Sequence, residues 1–260
     1  MKPYLIIAVM LAVAGCSTAP PAAQPASEKK AAEPAYSTVD PGTAATLRGK
    51  VTFAGRRPTP QAIRIDEDAT CVQLNKGRLL DESILIGKGG TLASVFVYVK
   101  KGLEGKRFAP PPAGQVVTID QKNCRFEPHV LGVRVGQTLR VTNSDPVTHN
   151  IHPQPQMNYE WNQSQEQGAE PLERKFVRPE MFIRVKCNVH SWMRAYVSAM
   201  EHPYFAVTGA DGSFAIPNLP PGDYVLEAWQ EKLGTREIAV TLAPSEQKPV
   251  EFTFTGASKQ

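Results

Sequence analysis

No segment between Leu47 and Thr255 carries a long apolar helical period; short runs instead alternate apolar and polar residues, as a strand with one buried face does. Leu47-Arg48-Gly49-Lys50-Val51-Thr52-Phe53-Ala54-Gly55 alternates and stops at a glycine, which predicts a strand followed by a turn. Ala62-Ile63-Arg64-Ile65 is a second, shorter alternation. Residues 92–99 form a stronger strand, rich in β-branched and aromatic side chains. Pro110-Pro111-Pro112 breaks the pattern, because proline cannot donate to a ladder and fixes φ, and a boundary is placed there.

Beyond that boundary, residues 116–120, 124–128, 130–136 and 139–143 are each of strand length, and Gly136-Gln137 predicts a hairpin between the last two. Residues 154–172 are polar and read as a long surface excursion. Strands return at 175–179 and 182–186, the second running straight into Cys187, and 195–200 closes the block. The final block restarts at Phe205 and carries runs at 213–216, 224–229, 237–242 and 250–254. Turns at Asp211-Gly212 and Pro220-Pro221-Gly222 punctuate it. With the strands before Pro110 this makes about seven strands, enough for a sandwich of its own. The expected architecture is therefore all-β, with one sandwich (113–202) inserted between the two parts (47–112 and 203–256) of another.

One stretch concentrates chemistry: Cys187-Asn188-Val189-His190-Ser191-Trp192-Met193. It offers a thiolate, an imidazole and a thioether, with two residues between each pair. Those donors plus one more histidine make the trigonal His₂Cys site with a weak axial Met that holds copper. His149, in Asn143-Ser144-Asp145-Pro146-Val147-Thr148-His149-Asn150, is the candidate partner, and both stretches fall at strand ends, where a sandwich gathers its loops. Zinc would fit Cys and His but gains little from Met. The bland alternative is a loop whose residues merely pack. His152 lies three positions beyond His149, on the other face of an extended segment, and is read as a supporting or surface residue. Asn150 is expected to tie the two ligand loops together, and Trp192 to cover the metal or fill a junction. His129 is expected to be a polar strand residue away from the ligand loops, and His202, before Pro203, to hydrogen-bond at the domain junction.

The net charge of +4 comes from scattered Lys and Arg, which describes a solvated surface and assigns no nucleic-acid role. Lys2 followed by an apolar run at 5–13 reads as an export leader, too short to span a bilayer. Val13-Ala14-Gly15-Cys16 resembles a bacterial lipobox. That resemblance implies lipidation of Cys16, export to the periplasmic side and anchorage to a membrane surface. With Ser17 next, it favours the outer membrane in a Gram-negative cell. Residues 17–46, rich in Ala, Pro, Ser, Lys and Glu, read as a tether. With Cys16 lipidated and Cys187 on a metal, Cys71 and Cys124 remain, and a disulfide is the default in an oxidising compartment. The competing use is a second metal site built from Cys124 and His129.

From 116 to 199 the sequence resembles the cupredoxins, with the ligand spacing of their amicyanin branch. The likeness is carried by Phe126-Glu127-Pro128 with Val133-Arg134-Val135-Gly136, by residues 143–152, and by Cys187-x₂-His190-x₂-Met193. The resemblance implies a Greek-key sandwich holding one type 1 copper on His149, Cys187, His190 and Met193. Gly49-Lys50-Val51-Thr52-Phe53 and residues 211–224 resemble the carboxypeptidase regulatory-like domain, a transthyretin-like sandwich. The combination is similar to exported bacterial proteins labelled methylamine-utilisation or plastocyanin-like, in which a histidine follows the last-block Trp; here Gln230 follows Trp229. The implied role is one-electron transfer with a periplasmic partner such as a c-type cytochrome or a dehydrogenase, and no catalysis. The alternatives are copper storage or delivery, and a non-redox interaction module.

Overall fold

The computed structural model describes residues 35–256. The leader 1–16 with Cys16, and the tether as far as residue 34, lie outside the described residues. In chain order the elements are β1 (Ala45–Ala54), β2 (Ala62–Ile63), the helix α1 (Ala69–Leu74), β3 (Leu79–Leu80) and β4 (Phe96–Lys101). The middle of the chain supplies β5 (Val116–Lys122), β6 (Arg125–Glu127), β7 (Val130–Arg134), β8 (Thr138–Asn143) and β9 (His149–Gln154). It continues with β10 (Gln163–Gln165), β11 (Leu172–Arg174), β12 (Glu180–Lys186) and β13 (Arg194–Met200). The last part holds β14 (Phe205–Val207), β15 (Ser213–Leu219), β16 (Gly222–Gln230), β17 (Gly234–Leu242) and β18 (Gln247–Thr255). The all-β class expected from the sequence is the class of the structure. Among the described residues no helix is long and apolar enough to cross a membrane.

Two sandwiches account for nearly all the strands. The host sandwich pairs the sheet β15-β1-β18 with the sheet β14-β4-β16-β17. Its core follows from strand alternation: Leu47, Val51 and Phe53 of β1 and Val250, Phe252 and Phe254 of β18 all point inward while their neighbours face out. The second sandwich pairs β10-β9-β12-β13-β7 with β11-β8-β5-β6 around Ile119, Phe126, Val141, Ile151, Val185 and Val197. Its strands all lie between β4 and β14 in sequence, so it is an insertion in the host.

Three local expectations are corrected. Gly136, at φ 78°, does make a turn, but β7 and β8 lie in different sheets, so the chain crosses the sandwich instead of closing a hairpin. The reason is that Val135 N–H donates to Met200 O and Gly136 N–H to Phe176 O, fixing the turn to other elements. The expected strand at 175–179 is absent; β11 pairs with β8 just before it, and Phe176 is buried in the core instead. The excursion at 154–172 contains β10, which pairs with His149–Ile151 and carries a buried Gln165 bonded to Gln121 at 2.8 Å.

The boundaries also shift. The segment from β2 to β3, expected with the host, buries Ile65, Cys71 and Leu79 in the inserted sandwich. Its short alternation could not say which sandwich it joins; a disulfide between Cys71 and Cys124, 53 residues apart, decides it. The folded chain begins before Leu47: Ser37 N–H donates to Arg107 O, Val39 packs on the host core, and β1 starts at Ala45.

The sandwiches meet along an aromatic seam. β13 and β4 lose simple alternation because both faces are covered. Val97 and Val99 enter the host core, whereas Phe96 packs with Val130 and Met200 at the seam. A bulge in β12 puts Phe182 at φ 54°, and its ring stacks on Trp229 with centroids 4.0 Å apart. Gly132 of β7 faces Phe205 so closely that a Cβ there would lie 2.3 Å from the ring.

His129 sits at the same seam, buried. Its Nε2 bonds to Glu231, just past β16, and its Nδ1 lies 3.5 Å from Glu82 Oε1, an ion-pair distance too long for a well-formed hydrogen bond. Arg125 pairs with Glu82 at 3.0 Å, and Arg194 lies 3.8 Å from Glu231 and 3.1 Å from Asp81. Burial alone would lower the His129 pKa, but the two carboxylates outweigh it and bring it up to about 9. His129 is thus a charged bridge between sandwiches, not the plain polar strand residue expected. His202 is at the junction, where its Nδ1 accepts from Tyr204 N–H at 3.2 Å.

Candidate metal centre

β12 ends at Lys186 and β13 begins at Arg194, and the turn between them is closed from inside. Cys187 N–H donates to Met193 O, Met193 N–H to His190 O, and His190 N–H to Cys187 Sγ at 3.3 Å. This closure buries Cys187, His190 and Met193 together. His149 opens β9, which pairs with β12, so the two loops carrying the candidate donors are neighbours at one end of one sheet.

The inward-facing atoms converge. His149 Nδ1 lies 2.9 Å from His190 Nδ1, and His190 Nδ1 lies 3.9 Å from Cys187 Sγ. The donor atoms of His149, Cys187 and His190 all fall within 4.8 Å of one another. An ion taking thiolate at about 2.3 Å and imidazole at about 2.0–2.1 Å needs donor separations below roughly 4.4 Å. The His149–His190 and His190–Cys187 separations satisfy that. His149 is 0% exposed and His190 2%, so bulk water has no access to the cluster.

The electrostatics suit a cation. Burial would push the Cys187 thiol up, but hydrogen bonds with His149, His190 and backbone N–H groups bring it down to about 6. Burial would lower both histidines, yet His149 is raised by Asp145 and Cys187, and His190 by Cys187 and Asp68. A preformed thiolate is what a soft metal ion needs.

The loops are locked to each other. Asn150 Oδ1 accepts from Asn188 N–H at 3.0 Å, and Asn188 Oδ1 meets His152 Nδ1 at 3.1 Å. His152 faces away from the donors and holds Glu160 with its Nε2 at 2.5 Å. Trp192 lies beside His190, ring centroids 5.1 Å apart, and donates from Nε1 to Cys124 O at 3.1 Å.

Two residues that sequence reasoning missed complete the surroundings. Asp145 Oδ2 bonds His149 Nε2 at 2.8 Å, and Asp68 Oδ2 bonds His190 Nε2 at 3.1 Å. Asp68 is also the N-cap of α1, accepting from Cys71 N–H at 2.9 Å. Asp145 lies four residues before His149 in the loop already singled out. Asp68 before Ala69-Thr70-Cys71 has the form of an N-cap, but nothing in the sequence links it to His190, 122 residues away. Asp68 with Cys71 and His190, and Cys124 with Asp145 and His149, also group closely, but both cysteines are consumed in the disulfide. The same bond removes the alternative site of Cys124 with His129.

No protein-family model matches the chain, and no curated protein matches it. Solved structures similar to part of it include a copper-containing nitrite reductase from Thermus scotoductus SA-01, at 20% identity over 36% of this chain, with TM-score 0.32. The match spans only 26% of that reductase. An oxidised amicyanin variant is similar at 19% identity, covering 40% of this chain and 98% of its own, with TM-score 0.30. A purple cupredoxin from Nitrosopumilus maritimus is similar at 21% identity, covering 32% and 98%, with TM-score 0.28.

Proposed function

We propose that this protein binds one copper ion of the type 1 class and carries single electrons. The observation that supports this most directly is the convergence of His149 Nδ1, His190 Nδ1 and Cys187 Sγ in a closed, dry cluster. Met193 is buried on the same loop and would add its thioether to the donors holding the ion. Copper held there would supply a one-electron couple. Cys187 would hold it through its thiolate and His149 and His190 through their imidazoles, and the Asn150–Asn188 bond ties the two loops that carry them together. Burial excludes water and so limits reorganisation.

Four protein donors leave no coordination position for a substrate, which supports a carrier rather than an enzyme. The lipobox-like leader and the Cys71–Cys124 disulfide support an exported, lipid-anchored protein on the periplasmic side, exchanging electrons with a redox partner there.

The test is addition of Cu(II) to the folded protein. Intense visible thiolate-to-copper absorption that disappears in Cys187→Ser is expected. A colourless wild-type complex removes the type 1 assignment.

A further inference from the structure

The metal-facing geometry of the two histidines is set from behind, by a frame that spans both parts of the chain. On one side, Asp68 holds His190 Nε2 with one oxygen and the Cys71 N–H with the other. On the other side, Asp145 holds His149 Nε2 and the N–H groups of Asn123 and Cys124, the last two at 2.7 Å each. Asn123 and Cys124 are consecutive residues at φ 53° and 55°, a turn that a single carboxylate spans. The Cys71–Cys124 disulfide then joins the two backbone platforms on which the carboxylates rest. Asn75 Nδ2 bridges them again, donating to Cys71 O at 2.9 Å and Asn123 O at 3.1 Å.

We propose that Asp68 and Asp145, tied together through the Cys71–Cys124 disulfide, are positioning residues that hold His190 and His149 with both Nδ1 atoms turned toward the metal. Each carboxylate accepts Nε2–H, so the ring presents Nδ1 inward and cannot rotate away. The inference rests on the copper reading of the same cluster. One consequence is that the inserted sandwich does not complete its own centre: Asp68 arrives from the segment between β1 and β4.

Asp68→Asn is the informative change, because Asn caps helices as well as Asp and preserves the bond to Cys71 N–H. Two measurements on the full chain are made: Cu(II) affinity by chelator competition, and the Nε2–H proton signals of ¹⁵N-labelled histidines in the metal-free protein. The expected result is an affinity about tenfold to a hundredfold weaker in Asp68→Asn and in Cys71→Ser/Cys124→Ser, with all four donors unchanged. The His190 Nε2–H signal is lost in Asp68→Asn while that of His149 persists. Unchanged affinity in both variants, or a His190 signal that persists, overturns the proposal. A wild-type protein lacking the thiolate-to-copper band defeats the copper reading instead; the Nε2–H signals then judge the carboxylate frame alone, by the same criterion.

Discussion

Replacing His129 by Gln isolates a charge that bonds the two sandwiches together. In the folded protein its pKa is about 9, because Glu231 and Glu82 outweigh the opposing effect of burial, whereas an unfolded histidine titrates near 6.5. The folded state therefore holds the proton more tightly. The stabilisation is fully present below about pH 6.5 and is lost as pH rises through about 9. At about 1.4 kcal/mol per pH unit, the interval is worth about 3 kcal/mol. Other groups also titrate in this window, Cys187 among them, so the quantity to follow is the difference between wild type and His129→Gln. Urea unfolding of the metal-free proteins at intervals from about pH 6 to about pH 10 gives that difference directly. The wild-type advantage should shrink by about 3 kcal/mol across the range. A difference that stays constant with pH would refute the charged bridge and leave His129 as a packing residue.

The other histidine at the junction has the opposite sign. Burial, aided by Arg134, depresses His202 to about 4, so stability is lost as pH falls from about 6.5 toward 4; His202→Phe should flatten that acid limb of the unfolding midpoint against pH. Gly132→Ala should drive a methyl group into Phe205 and loosen the seam, costing about 1–3 kcal/mol in chemical denaturation.

The strands that read clearly in the sequence are those with one buried face. β1 and β18 alternate cleanly because one side meets the core and the other meets solvent. The loops carrying the candidate donors were legible for a related reason: Cys187, His190 and Met193 are close in sequence, and strand-like runs on either side placed them at a sheet end. What stayed hidden depends on distant partners. Phe182 looks like an ordinary strand residue until a bulge aims it at Trp229. Gly136 signals a turn equally well for a hairpin or a crossing between sheets, and only the bonds to Met200 and Phe176 choose. Asp68 and His129 carry no local mark of their roles, since their partners His190 and Glu231 are far along the chain.

The insertion itself has a topological consequence. β4 and β14, which flank the inserted sandwich in sequence, are direct neighbours in the host sheet, with Val97 opposite Ala206. Strands so paired stand about 4.8 Å apart. To the host, the whole inserted sandwich is therefore the loop of one β-hairpin. The entropy of closing such a loop grows only logarithmically, about 0.6 kcal/mol for each doubling of its length. The host sheet thus sets little limit on the size of what it carries, and its own fold would close equally over a short turn. The two sandwiches are held against each other by the segment from β2 to β3, disulfide-bonded to the inserted sandwich, by the His129 bridge and by the aromatic seam, all of them built across a junction that the strand pairing of the host leaves free.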